Sequence, residues 1–143
     1  MLLAELDQRR LPPSARVSKR AVAMLLAAIE KFLPAGRQGA KVSGTVSIAF
    51  VGEAEIRRVN RAYRKKDKVT DVLAFEAPLM EVLICYPQAR RQAKERGHTV
   101  KEEVMDLIIH GVLHTFGFDH ERQRDAKVML PLQKKIYERL THR

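Results

Sequence analysis

Thr99 to His120 reads TVKEEVMDLIIHGVLHTFGFDH, and this stretch decides how the chain is built. Thr99 followed three residues later by Glu102 is a capping box, in which each residue satisfies a free backbone N–H of the other's turn, so a helix opens there. Val104, Leu107, Ile108, Val112 and Leu113 recur at helical spacing, which makes it a core helix running to about Phe116. His110 and His114 lie four apart and therefore share one face of it. Gly117 is a helix stop, because glycine takes the left-handed conformation that ends a helix, and the turn can return His120 to the same point. Three of the five histidines thus fall within eleven residues. Three neutral imidazoles with an open fourth position are the donor set of a catalytic type of zinc site. A single histidine on such a helix would read as a hydrogen-bonded core residue, whereas the triple spacing reads as a metal site.

Around this helix the chain predicts an α+β domain spanning residues 1–143, a small mixed sheet of about four strands with about five helices and the three-histidine site at the end of a core helix. Met1 to Leu6 reads as a short edge strand, closed by Pro12 and Pro13. Ser18 caps a helix through Leu33, and Pro34 to Gly39 is its exit loop. Thr45 to Val51 is a strand with Val46, Ile48 and Phe50 on one side. Gly52 to Arg64 is a helix with Ile56, Val59, Asn60 and Tyr63 on its packing face and Arg57, Arg58, Arg61 and Arg64 around the rest. Asp71 to Phe75 and Glu81 to Tyr86 are two further strands, parted at Ala77-Pro78. Pro87 opens a helix that Gly97 ends. A last helical stretch runs to about Leu140, and Pro131 either kinks it or starts a new first turn. Because strands and helices do not alternate regularly, the class is α+β, not a doubly wound sheet.

Twenty-seven Lys and Arg stand against 17 Asp and Glu, a formal charge of +10. Such a field favours a polyanionic partner, nucleic acid or an anionic surface, over a merely well-solvated face. The lone Cys85 cannot pair within the chain, which fits a reducing, cytoplasmic setting with no disulfide partner. Glu5 and Asp7 follow the start at once, unlike a signal peptide, and the longest apolar run, Ala21 to Ile29, is too short to cross a membrane.

The histidine spacing invites comparison with zinc peptidases, whose His-Glu-x-x-His uses the glutamate as general base. Here that position is Gly111, so a peptidase of this design lacks its base. Phosphodiester cleavage, in which a metal polarises a phosphoryl oxygen and activates water, fits a basic protein better. Asp106, Glu103 and Asp119 are near enough to support the histidines, with Asp106 and Asp119 favoured to receive a second imidazole N–H and not to bind the metal directly, while a solvent-facing or capping role stays equally open for Glu103 and Asp106.

The run from Asn60 to Phe75, NRAYRKKDKVTDVLAF, then Ala89 to Ala93, Gly97-His98 and His110 to His120, resembles the YbeY family of bacterial rRNA maturation factors. The resemblance covers about Thr45 to Leu140. It implies a metal-dependent, single-strand-specific endoribonuclease acting in ribosomal RNA maturation, including the 3′ end of 16S rRNA, and in ribosome quality control. It implies one Zn2+ per chain on His110, His114 and His120, with the small ribosomal subunit and assembly factors as partners. Arg64 matches a functionally important arginine, and Arg64 and His114 are the catalytic candidates. Its planar fork suits a scissile phosphate better than lysine does. Lys66 matches a basic companion, and with Arg61, Arg64, Arg90 and Arg91 makes the set of candidate RNA contacts. His98 also matches, with a structural role expected. Ala74 stands where the family commonly has serine, Val69 where it has proline and Met80-Glu81 where it has Gly-Asp or Gly-Glu, while the insertion shrinks to about Glu76 to Leu79; the cleft rim is therefore expected to differ. Two other readings stay open: an RNA-binding module with a structural zinc, and a degenerate metallopeptidase.

Overall fold

The computed structural model describes residues 1–33, 41–76, 78–118 and 123–141. Four strands, β1 (Leu2–Asp7), β2 (Gly44–Val51), β3 (Val72–Phe75) and β4 (Glu81–Cys85), form one sheet in the order β1-β2-β4-β3. β1 and β4 flank β2 in parallel, and β3 closes the far edge antiparallel to β4. The sheet is mixed, as predicted. Five helices accompany it: α1 (Lys19–Phe32), α2 (Glu53–Arg64), α3 (Tyr86–Arg96), α4 (Val100–Thr115) and α5 (Gln123–Thr141). The expected exit loop at Pro34 to Gly39 lies outside the described residues, as does Ala77.

Local signals set the helix ends. Ser18 Oγ accepts from the Ala21 N–H at 3.0 Å and opens α1. Thr99 and Glu102 make the reciprocal capping box of α4. Gly97 ends α3 at φ +71, and Gly117 follows the end of α4 at φ +94, both conformations that favour glycine. Lys65 ends α2 in the same left-handed region, at φ +60.

The sheet alternation splits the interior into two parts. Val46, Ile48, Phe50, Ala74, Val82 and Ile84 face the larger core with Leu25 and Ile29 of α1 and Ile108 and Val112 of α4. Val51, Leu73 and Cys85 face the other way and pack with Ile56 of α2. α4 touches β3, β4, α1, α3 and α5, which makes it the central helix. α5 runs as one helix through Pro131, so the proline starts no new helix.

Two sequence expectations change. Tyr63, placed on the packing face of α2, is 72% exposed. Glu103, expected along the histidine face, is fully buried toward α3, where Arg96 Nη1 donates to its Oε1 at 2.7 Å. Helical period assigned the angle of each side chain correctly, but not whether a neighbour stands opposite.

Candidate functional site

Gly111 explains why the site lies where it does. α4 crosses β3 and β4 so closely that a Cβ on Gly111 would stand 2.5 Å from Cγ1 of Val82 and 3.3 Å from Cγ2 of Val72. The position that carries the base in a zinc peptidase therefore presses against the sheet and has room for no side chain. With Gly111 seated there, His110 and His114 line a groove of about 170 Å³. Its other walls are Asn60 and Arg64 of α2, the Lys66 to Asp71 connection and β3.

The two imidazoles converge. Their Nε2 atoms are 3.1 Å apart and their ring centroids 4.6 Å apart. Two nitrogens bound to one tetrahedral zinc at about 2.0–2.1 Å are separated by about 3.3 Å, so the pair already has the spacing of ligands. His110 is oriented from behind. Its Nδ1 is 2.8 Å from Gln133 Oε1, while Gln133 Nε2 donates to Asp106 Oδ1 at 3.1 Å. A carboxylate only accepts, so Asp106 fixes the amide with its oxygen toward the imidazole. Nδ1 must then carry the proton, which leaves the Nε2 lone pair for the groove. The donor set thus fits a divalent ion. His120 and Asp119 lie outside the described residues, and the described residues alone contain no group of three metal-binding side chains.

Arg64 is held at the same groove. Its Nη2 donates to the Ala74 carbonyl of edge strand β3 at 2.8 Å. The backbone after it is pinned too: the buried Asn60 accepts the Lys65 and Lys66 N–H groups on its carbonyl and donates from Nδ2 to the Lys68 carbonyl at 3.0 Å. These bonds place Lys66 and Lys68 on the groove wall. Asp71, also on the groove wall, accepts from the Val72 N–H at 2.8 Å and from Gln92 Nε2 at 3.2 Å.

The candidate RNA contacts separate. Arg64 and Lys66 share the histidine groove, whereas Arg61 lines a different depression with Arg57, Arg58 and Asp67. Arg57 pairs with Asp67 at 2.9 Å, and the hydrogen bond it donates, with its charge second, lowers that carboxyl from its ordinary value. Arg91 pairs with Glu53 at 3.1 Å, and Arg90 stands 6.0 Å over the Tyr86 ring. His98 stacks on Tyr137, away from the groove, with Nδ1 3.9 Å from Glu103 Oε2. Tyr137 in turn donates to Glu102 at 3.2 Å; burial first, then the Glu102 charge, push its phenol up to about 12. Burial likewise raises the Cys85 thiol, which marks it as a core residue and not a nucleophile.

Sequence reading missed Gln133. Its signal was a polar residue within the inward stripe of α5, between buried Met129 and Ile136.

The model of the family described as endoribonuclease YbeY matches residues 13–141. An endoribonuclease YbeY of Sulfurihydrogenibium sp. (strain YO3AOP1) is 43% identical over 106 residues, 67% of this chain and 70% of its own length. A longer one, of Myxococcus xanthus (strain DK1622), is 45% identical over 102 residues, 64% of this chain and 35% of that protein. The solution structure of TM1509 from Thermotoga maritima superposes with a TM-score of 0.62 at 28% identity, covering 98% of this chain and 89% of that one. The matched span holds every element that builds the histidine groove, and the chain belongs to the endoribonuclease YbeY family.

Proposed function

We propose that this chain cuts single-stranded ribosomal RNA at the groove between α4, α2 and β3, with His110, His114 and His120 holding one zinc ion. The observation that carries this reading is the meeting of two converging imidazoles with Arg64 and Lys66 in one groove. A zinc ion held there supplies Lewis acidity and an activated water. The chain's own residues do the rest. Arg64, anchored through Nη2 on Ala74, presents the remaining donors of its fork to the scissile phosphate and stabilises charge that grows on it. Anchoring removes rotamer freedom before substrate arrives, so little ordering remains to be done in the transition state. Lys66 and Lys68 hold the strand by its backbone without reading its sequence. Asp106, through Gln133, keeps His110 in the ligating tautomer.

The biological setting follows the family resemblance: maturation of the 16S rRNA 3′ end and ribosome quality control in the cytoplasm, with the small subunit and assembly factors as partners. No helix among the described residues is long and apolar enough to cross a membrane. The test is cleavage of single-stranded RNA with and without chelator, with metal content measured on the same sample. Arg64→Lys keeps the charge but loses the fork and should lower kcat by about a hundredfold. RNA that is bound but left whole by the zinc-loaded protein would reduce the chain to a binding module.

A further inference from the structure

Tyr63 lies near the end of α2 and is 72% exposed to solvent. The ring is nevertheless held in place. It meets Phe75 of β3 edge to face, with centroids 5.6 Å apart and an interplanar angle of 77°. Beside it lies a second cleft of about 510 Å³, whose walls are Tyr63, Phe75, Arg64, Lys66, Ala74 and Glu76. Arg64, Lys66 and Ala74 also line the histidine groove, so the two clefts adjoin on either side of the guanidinium.

We propose that Tyr63 is a stacking platform for an unpaired base of the RNA, next to the nucleotide whose phosphate lies at Arg64, and that it gives the site its preference for single strands. The proposal rests on the nuclease reading above and adds a subsite to it. A base offers an aromatic face with no sequence requirement, and a ring already fixed by Phe75 loses little freedom on stacking. The charges order the nucleotide in the cleft. Arg64 and Lys66 draw the phosphates to the side of the histidines, while Glu76 repels them from the far wall, so the aromatic wall is left to the base. In a duplex both faces of every internal base are already stacked, so the platform has nothing to receive.

The chain contains no tryptophan, which makes the test direct. Tyr63→Trp introduces a single indole at the platform, and its emission should be quenched on rapid mixing with a single-stranded oligonucleotide, before turnover. An abasic strand of equal length and charge, and a duplex, should leave it unquenched. Tyr63→Ala should weaken binding of the single strand about tenfold, while Tyr63→Phe, which keeps the face, should bind like the parent. Tyr63 is exposed, so these variants fold. A parent protein that cuts the oligonucleotide while the introduced indole stays unquenched, or a Tyr63→Ala protein with parental affinity, overturns the platform and leaves the nuclease reading standing. A parent that neither binds nor cuts the strand overturns both.

Discussion

Gly111→Ala tests the packing on which the groove depends, because two effects of opposite sign act at one carbon. In an unobstructed helix the change stabilises by about 0.8–1.0 kcal/mol through propensity. Here the new methyl would meet Val82 Cγ1 at 2.5 Å and Cγ2 at 3.1 Å, where carbon contacts settle near 3.5–4.0 Å. Val82 cannot step aside. It is fully buried in β4 between β2 and β3, and its branched side chain has few rotamers. Forcing α4 off the sheet costs about 1–3 kcal/mol, so a net loss of about 1 kcal/mol is expected, reaching about 2 if the sheet does not yield. The urea midpoint should fall with the slope unchanged, and the melting temperature should drop by about 3–6 °C. In a Val82→Ala background only Val72 Cγ2, at 3.3 Å, still presses on the new methyl, and the same substitution should lose its cost and become neutral to stabilising, by at most about 1 kcal/mol. RNA cleavage should fall in the single variant, since α4 carries His110 and His114 toward Arg64. A Gly111→Ala protein that is more stable than its parent would refute the close contact, and with it the account of why this helix cannot carry a peptidase's glutamate.

Gln133→Leu removes the acceptor at His110 Nδ1, and zinc affinity measured by chelator competition should fall about 10- to 100-fold; unchanged affinity would detach Gln133 from the site. Lys65→Gly relieves a left-handed residue at the end of α2 and should raise stability by about 0.5–1 kcal/mol in urea unfolding, where a loss would mean that the side chain contributes more than the strain costs. Burial, only partly offset by Arg96, raises the Glu103 carboxyl above its ordinary 4.5. The folded state therefore keeps its proton to higher pH than the unfolded chain, and this group's contribution to stability declines as pH rises from 4.5 through the folded value. Glu103→Gln lacks that decline and can still accept from Arg96. Unfolding midpoints across pH 4 to 8 should separate in favour of the variant as pH rises, and a gap that narrows instead would show the ion pair outweighing desolvation.

The helices were legible because their ends are written locally. Ser18, the Thr99 and Glu102 box and Gly97 each act within one turn, and the structure uses all three as read. β2 was legible from its β-branched and aromatic content, and the bounds of the four strands move by no more than a residue. Their order was not, since β4 inserts between β2 and β3 through contacts that no local pattern encodes. Pro131 left two readings open, and the single helix α5 removes the new first turn: a proline inside a helix costs hydrogen bonding and packing locally, yet α5 is docked on α1 and α4.

The candidate site shows the same limit more sharply. Glu103, Asp106 and His110 fall within a narrow stripe of α4, and from period alone all three serve one site. What separates them is the element opposite each turn. α3 covers the first turn of α4 and pairs Arg96 with Glu103, whereas α5 covers the third and sets Gln133 between Asp106 and His110. Asp106 therefore reaches the histidine only through an amide that is 27 residues away in sequence. A helix can thus carry ligands at legible spacing while the tautomer that lets them bind is decided by another helix. The same holds for Arg64, whose neighbours in sequence mark it as one cation among many. It is the Ala74 carbonyl of an edge strand that holds this one guanidinium at the histidines, while Arg57 and Arg91 are drawn into pairs elsewhere. Charge composition announces an anion, and backbone geometry chooses which cation meets it.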